Sequence, residues 1–130
     1  MAHSHPLGRA GLVAFVASSD LDNSRAFYEG VLGLEVTQQD GFACVLRSGG
    51  TVIRVTLVPE VRTAPYTVLG WEVDDLEATV DTLVARGVSF LRFDGMDQDT
   101  RGIWAAPGGD RVSWFPDPDG HVLSLTQPHG

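Results

Sequence analysis

The chain has 130 residues, a length that fits one compact domain or two half-size units that share a core. Seventeen acidic residues against nine basic ones give a net charge of −8, which opposes non-specific binding to nucleic acid or to an anionic membrane. All nine basic residues are arginine, which excludes Schiff-base catalysis by lysine, and the single cysteine, Cys44, excludes an internal disulfide and a thiolate zinc cage.

Cysteine use and charge also bear on the compartment and the partners. Cys44 lies in the apolar run 42–46, where a free cysteine is typical of a protein core and is compatible with a reducing compartment. No apolar run approaches the length of a membrane span. We therefore expect a cytoplasmic protein that binds neither membrane nor nucleic acid. The acidic balance either favours a cationic or metal-chelating ligand or only aids solubility, and residues 1–9 are predicted to be a flexible tail.

The first half of the chain reads as a strand, a helix and three more strands. Residues 12–17 form a short apolar run typical of a buried strand. Asp20 then offers a helix N-cap, and the apolar face of the helix that follows ends at Gly33. Further strands are predicted at 34–39, 42–47 and 51–58, separated by Asp40-Gly41 and Gly49-Gly50 turns and followed by a connector at 59–65.

The second half repeats this order. A strand at 67–73 precedes Asp74 and Glu77, whose spacing predicts a capping box. The helix that follows is striped by four apolar residues and ends at Gly87; these residues are Leu76, Val80, Leu83 and Val84. A strand is predicted at 88–93, and a β-hairpin at 111–127 closes the chain around the turn residues Pro118 and Gly120.

The two halves are a repeat. Asp20-Leu21 recurs as Asp75-Leu76, Gly33-Leu34 as Gly87-Val88 and Asp40-Gly41 as Asp94-Gly95, each offset by 54 or 55 residues. This spacing predicts an α+β fold of two βαβββ units, the modules 10–59 and 66–128, within a single domain. A unit of about 55 residues cannot hide both faces of its sheet, so the two sheets are expected to curl as one mixed sheet around a shared cleft.

The segment 96–110 is an insertion without a counterpart in the first half. It carries Trp104 between Gly102 and Pro107, so it could form a lid or an edge strand at the mouth of the cleft. A long loop that packs Trp104 for stability is the alternative.

Three segments together resemble the vicinal oxygen chelate superfamily, which includes glyoxalases, extradiol dioxygenases, epimerases and the bleomycin and fosfomycin resistance proteins. They are Asp20-Leu21-Asp22-Asn23-Ser24-Arg25-Ala26-Phe27-Tyr28 with Leu32-Gly33-Leu34, Glu72-Val73-Asp74-Asp75-Leu76, and Phe115-Pro116-Asp117-Pro118-Asp119-Gly120-His121. The likeness extends from Leu12 to Gln127. It implies the fold and a cleft but does not determine a reaction, and it implies a homodimer.

The resemblance also implies where metal ligands would lie, namely on inward positions of the first and last strand of each unit. Transferred to this sequence, these positions are Val13, Arg54, Val68 and Ser124. Two valines, an arginine and a lone serine are poor ligands for a divalent ion. Of the four histidines, three lie in the predicted tails, and His121 follows a turn, where we expect a solvated side chain.

Strand alternation predicts which side chains face the cleft instead. Phe15 lies on the same face as Val13, and Glu72 on the same face as Val68, so the cleft is apolar with Arg54, Glu72 and a few hydroxyls such as Ser124. Arg54 could hold a carboxylate or phosphate group of a ligand, and Glu72 could act as a base or anchor a cation. Alternatively, Arg54 and Glu72 form a structural pair with each other or with the insertion.

The three tryptophans are candidates for stacking against a flat ligand. Trp71 is predicted on the helix-facing side of its strand and hence in the core. One of Trp114 and Phe115 must face the cleft, and Trp104 of the insertion is the best candidate for contact with a ligand.

Two functions remain open at this point. The first is a metal-free, cofactor-free binding protein that holds a small organic molecule in the apolar cleft. The second is a lyase, isomerase or dioxygenase of the same superfamily, with a displaced divalent metal site or with metal-free acid–base chemistry. The candidate ligand-binding residues for either are Phe15, Arg54, Glu72, Trp104, Trp114 and Ser124.

Overall fold

The computed structural model describes residues 4–130. Contacts between Cα atoms divide the chain into two compact units, one ending at Val61 and the other beginning at Arg62. This boundary lies inside the predicted connector, while the joining of the two modules into one domain stays a prediction. The predicted tail falls partly on residues 1–3, outside the described part, and residues 4–9 are exposed.

The first unit has the predicted βαβββ order. It consists of β1 (Val13–Ser18), α1 (Leu21–Arg25), β2 (Glu35–Gln39), β3 (Ala43–Ser48) and β4 (Thr51–Leu57). The strand order in its sheet is β1-β4-β3-β2, with β1 parallel to β4 and the other pairs antiparallel. A parallel pair needs a long crossover, and α1 with β2 and β3 supplies it.

The helix of the first unit begins as the sequence predicts and then widens. The Asp20 side chain accepts a hydrogen bond from the Asn23 N–H at 3.0 Å, which satisfies one free donor of the first turn. After α1 the chain continues as a π-helical segment, Ala26–Val31, and the Leu32 N–H donates to the Phe27 carbonyl five residues earlier. This segment buries Tyr28 completely.

The core of the first unit lies between α1 and one face of its sheet. Ser18 of β1 and Ser24 of α1 are joined by a buried hydrogen bond of 2.7 Å between their hydroxyls, which fixes the face that the helix covers. The apolar side chains on that face are buried; they are Val16, Cys44, Leu46, Ile53 and Val55. As predicted, Cys44 is a free core cysteine, and its burial raises the pKa of the thiol.

The second unit has the same βαβββ order, but its second strand comes from the insertion. It consists of β5 (Thr67–Glu72), α2 (Leu76–Ala85), β6 (Trp104–Ala105), β7 (Arg111–Pro116) and β8 (Val122–Gln127). The strand order is β5-β8-β7-β6, again with one parallel pair, β5 with β8. Its core contains Leu76, Val80, Leu83, Phe115, Leu123 and Leu125.

Two details of α2 differ from the sequence prediction. The N-cap is Asp75, whose side chain accepts from the Ala78 N–H at 3.0 Å, and not Asp74. Asp75 is the repeat equivalent of Asp20, so the two units cap their helices at the same position. Val84 was expected on the buried stripe but is 53% exposed.

The predicted strand at 88–93 is wrong, and the insertion supplies the edge strand in its place. In this segment the Leu91 N–H donates to the Trp114 carbonyl at 2.7 Å, but the Phe93 N–H donates to the Gln98 side chain. A strand needs successive backbone partners, and here a side chain takes the second one. The sequence left a lid, an edge strand or a long loop open for the insertion, and the structure shows an edge strand at Trp104–Ala105, since β6 pairs Trp104 with Val112.

The closing turn between β7 and β8 is tied together by Asp117. The Asp117 side chain accepts from the N–H groups of Asp119 and His121 at 3.0 and 2.9 Å, and its backbone N–H donates to the His121 carbonyl. The prediction of a solvated His121 is wrong, because His121 is only 6% exposed. Folding of the turn around a buried Asp117 draws the neighbouring histidine inward.

The predicted α+β class with two repeated units is confirmed by this architecture of two four-stranded mixed sheets, each with its own helix. No helix within residues 4–130 combines the length and the apolar character needed to cross a lipid bilayer.

Candidate functional site

Each sheet has one face turned away from its own helix, and the residues of interest lie on these faces. In the second unit, the Leu76 N–H at the start of α2 donates to Gln127 Oε1 at 2.9 Å, so Gln127 and its alternate neighbours lie on the helix side. The other positions form the face that we call the distal face of the second sheet. Among its residues are Gly70, Glu72, Trp104, Val112, Trp114, Ser124 and Thr126.

An aromatic cluster occupies one side of this distal face. The rings of Trp104 and Trp114 have centroids 6.2 Å apart at an interplanar angle of 38°, and Phe93 meets Trp114 edge-on with centroids 5.3 Å apart. Both indoles are half-buried. Half-buried indoles on a sheet face present apolar, polarisable area to a flat ligand at little entropic cost.

The centre of the distal face is small and weakly polar. Gly70, Ser124 and Trp114 are Cα partners in one row across β5, β8 and β7. A Cβ on Gly70 would come within 2.7 Å of Ser124 Oγ, so a larger residue at this position would force the serine hydroxyl to move. Ser124 is 7% exposed, and its hydroxyl is a polar group beside the tryptophans.

Glu72 lies in the next row and carries an uncompensated charge. The row runs from Glu72 through Thr126 and Val112 to Trp104, one residue from each of the four strands. Glu72 is exposed and has no hydrogen bond or ion pair within the described part of the second unit. The carboxylate is therefore free to receive a cation or a proton.

In the first unit, Phe15 and Arg54 lie together on the face of the sheet that is turned away from α1. They are Cα partners in the parallel pair of β1 and β4. Phe15 is 69% exposed and Arg54 is half-buried, with no ion pair inside the described part of its unit. The pKa of Asp40 is lowered mainly by hydrogen bonds from the backbone N–H groups of Phe42 and Ala43, and the charge of Arg54 adds to this.

The structure thus divides the six predicted site residues between the two units. Phe15 and Arg54 are neighbours in the first, while Glu72, Trp104, Trp114 and Ser124 share the distal face of the second. Between Trp114 and Phe115, the register places Trp114 on the distal face, whereas Phe115 is fully buried on the helix side. Their participation in ligand binding stays a prediction.

The residue that positions the aromatic cluster is Gln98, which sequence reasoning missed. Its Oε1 accepts from the Phe93 N–H at 2.8 Å, and its Nε2 donates to the carbonyls of Leu91 and Gly102 at 3.0 and 2.8 Å. Gln98 also forms an isolated antiparallel β-bridge with Trp104. No local pattern marks a glutamine for such a role, whereas a glycine inside a strand, as at Gly70, does signal a close approach.

The four positions at which the resemblance implies metal ligands do not have the chemistry to hold a metal ion. Val13 and Val68 have no donor atom, Arg54 carries a positive charge, and Ser124 offers a single neutral hydroxyl. Within residues 4–130, no three His, Cys, Asp or Glu side chains are grouped so that they could hold a metal ion.

Comparison with known proteins agrees with the repeat and the topology. Residues 9–125 match the family model of the Glyoxalase/Bleomycin resistance protein/Dioxygenase superfamily. Among curated proteins, none matches the sequence.

Solved structures of similar fold come from several bacteria. A putative glyoxalase family protein from Bacillus anthracis has a TM-score of 0.73 at 15% identity, over 93% of this chain and 96% of that one. Lactoylglutathione lyase from Agrobacterium tumefaciens has a TM-score of 0.71 at 16% identity, over 92% and 93%. TioX from Micromonospora sp. ML1 has a TM-score of 0.69 at 20% identity, over 91% and 98%. At these identities the likeness is one of fold.

Proposed function

Because the chain belongs to the glyoxalase/bleomycin resistance protein/dioxygenase superfamily, we propose that it binds a small organic molecule without a metal ion, on the apolar and aromatic distal face of its second sheet. The proposal is of a binding protein and not of a catalyst. We also expect a homodimer and a cytoplasmic location, the latter supported by the free, buried Cys44.

The observation that carries the proposal is the pair of half-buried indoles, Trp104 and Trp114, 6.2 Å apart beside the small residues Gly70 and Ser124. Large aromatic side chains next to small ones form a surface with room for a flat molecule. Each aromatic pair that forms when a ligand ring stacks on an indole contributes about 0.5–1.5 kcal/mol, in addition to the free energy gained by burying apolar area.

The chemistry of the four family metal positions supports the metal-free version. A divalent ion needs oxygen, nitrogen or thiolate donors, and valine at two of the positions leaves at most Arg54 and Ser124, which repel or hold it weakly. The ligand would then be held by stacking and by hydrogen bonds to groups such as the Ser124 hydroxyl.

An enzyme is the second candidate, because Glu72 is an exposed, unpaired carboxylate on the same face as the tryptophans. A carboxylate in that position could accept a proton from a bound substrate, as a lyase or isomerase requires. Such a reaction would depend on Glu72, whereas simple binding of a neutral aromatic molecule would not.

Metal analysis and ligand titration of the purified protein test the metal-free binding proposal. We expect no stoichiometric divalent ion after dialysis, and quenching of tryptophan fluorescence by acridine at a pH where acridine is uncharged. Binding should weaken about tenfold in Trp104→Ala. Phe42→Ala serves as the control, since it removes an aromatic side chain that is 76% exposed in the first unit. A retained stoichiometric ion, or equal acridine binding by Trp104→Ala and the parent protein, would overturn the proposal.

A further inference from the structure

Two arginines of the second unit are paired with carboxylates of its helix. Arg101 donates from Nε and Nη2 to the two carboxylate oxygens of Asp81 at 2.9 and 3.0 Å, and Arg111 Nη2 donates to Glu77 Oε2 at 2.9 Å. Asp81 and Glu77 belong to α2, so these two cations are compensated on the helix side of the sheet.

The distal face of the second sheet has the opposite character. Among the described strand residues of this face, Glu72 is the one that carries a charge; the others are Val68, Gly70, Trp104, Val112, Trp114, Pro116, Val122, Ser124 and Thr126. An exposed carboxylate on the same face as two indole rings gives this face negative character, because the face of an aromatic ring is itself the negative end of a quadrupole. The net charge of −8 adds to the attraction of a cation at longer range.

The distance between these groups fits a small ligand. Glu72 and Trp104 lie at the two ends of one four-residue row, three strand spacings or about 14 Å apart at the Cα positions. Trp114 is nearer, two strands from β5 in the adjacent row. A molecule of two or three fused rings spans such a separation once the lengths of the side chains are included.

We propose that the ligand of this face is a planar aromatic cation, whose rings stack on Trp104 and Trp114 and whose positive group lies towards Glu72. This inference rests on the proposed binding function and adds the charge of the ligand and the residue that selects it. Tryptophan is the aromatic side chain that attracts cations most strongly, and the Glu72 carboxylate supplies a full opposite charge.

Two probes of the same shape test the charge directly: acridine in its neutral form and N-methylacridinium, which is permanently cationic. We expect the parent protein to bind N-methylacridinium about tenfold more tightly than acridine in calorimetric titrations at low salt. The preference should shrink as salt is added, because the Glu72 carboxylate is exposed to screening.

The variant Glu72→Gln isolates the carboxylate. It should bind acridine as the parent does but lose most of the preference for N-methylacridinium, to within about twofold. Glu35→Gln is the matched control, since Glu35 is an exposed strand glutamate of the first unit and its replacement changes the net charge equally. Thermal melting and circular dichroism of both variants establish that they are folded.

The outcomes distinguish the two proposals. Equal affinity of the parent protein for both probes, or an equal loss of preference in Glu72→Gln and Glu35→Gln, overturns the cationic ligand while the binding function stands. An N-methylacridinium affinity that Trp104→Ala leaves unchanged also overturns it, because stacking would then play no part. If neither probe binds the parent protein, the binding function itself is overturned.

Discussion

Gly70 and Ser124 are Cα partners on adjacent parallel strands, and a Cβ added to Gly70 would lie 2.7 Å from Ser124 Oγ. The backbone of Gly70 does not have a positive φ, so the constraint on this residue is space and not conformation. The small surface beside the tryptophans therefore depends on the absence of a single methyl group.

Gly70→Ala is expected to destabilise the protein by about 1 kcal/mol. Gly70 itself is exposed, but the atom that the new Cβ would crowd, Ser124 Oγ, belongs to a buried residue. Such overpacking costs about 1–3 kcal/mol, and the reduced entropy of the unfolded chain offsets about 0.4–1 kcal/mol of this. The midpoint of urea unfolding should fall with an unchanged slope.

Two companion variants test the cause. Removal of Oγ by Ser124→Ala should recover most of the loss when it is combined with Gly70→Ala. Gly30→Ala should instead stabilise the protein by about 0.5–1 kcal/mol, since a Cβ there meets nothing within 4 Å in a helical segment. Equal effects of Gly70→Ala and Gly30→Ala would show that the contact with Ser124 is irrelevant.

The sequence predicts most elements of this fold because their signals are local. Asp20 and Gly33 mark the start and the end of a helix through their own backbone and side-chain chemistry, and the 54- to 55-residue repeat transfers these limits to the second unit. The failures concern non-local partners. The segment 88–93 has the composition of a strand, yet the Phe93 N–H finds Gln98, which follows five residues later on the insertion.

The candidate site was predictable to the same degree. Alternation along a strand suffices to place Arg54, Glu72 and Ser124 on particular faces, because the period of two holds along a regular strand. Phe93 and Gln98 could not be placed, since the path of an insertion depends on contacts that its own sequence does not encode.

Gln98→Glu is expected to disturb the aromatic cluster and to destabilise the protein by about 1–3 kcal/mol. The new carboxylate can still accept from the Phe93 N–H, but it loses both donors and turns an oxygen towards the carbonyls of Leu91 and Gly102. The near-ultraviolet circular dichroism of the Trp104–Trp114 pair should weaken.

Gln38→Glu is the control for this experiment, because Gln38 is an exposed residue of β2 in the first unit. It makes the same chemical change and should leave both the spectrum and the unfolding midpoint nearly unaltered. A near-ultraviolet spectrum that is the same for Gln98→Glu and the parent protein would contradict the positioning role of Gln98.

The pair of Asp81 and Arg101 should make stability depend on pH in the acidic range. The hydrogen bonds from Arg101 lower the pKa of Asp81, so the folded protein holds this proton less tightly than the unfolded chain. The contribution is present above the unfolded pKa, about 3.9, and is lost as the pH falls through the lower folded value. The loss should be small because the pair is exposed.

Arg101→Gln should remove this dependence and shift the carboxyl titration of Asp81, followed by NMR, upwards towards its ordinary range. Asp40 provides an internal reference, since its pKa is lowered mainly by the backbone N–H groups of Phe42 and Ala43. Its titration should not move. An Asp81 titration that is the same with and without Arg101 would refute the assigned cause.

Two buried strand serines predict opposite results for one substitution. Ser113 on β7 and Ser18 on β1 are both 0% exposed. Ser113 Oγ has no hydrogen-bond partner among the described residues, whereas Ser18 Oγ bonds Ser24 Oγ at 2.7 Å and accepts from the Asp20 N–H at 3.1 Å. A buried hydroxyl without a partner costs about 1–3 kcal/mol of desolvation.

Ser113→Ala should therefore leave the free energy of unfolding unchanged or raise it by up to about 1 kcal/mol. Ser18→Ala should lower it by about 1–3 kcal/mol, because the buried Ser24 hydroxyl loses its hydrogen-bond partner and the part-buried Asp20 N–H loses its acceptor. Both substitutions remove a hydroxyl oxygen from a fully buried strand serine. Differences in burial and in side-chain volume therefore do not contribute to the comparison. Urea unfolding of the two variants measures the difference, and equal destabilisation would mean that Ser113 Oγ is hydrogen-bonded in solution.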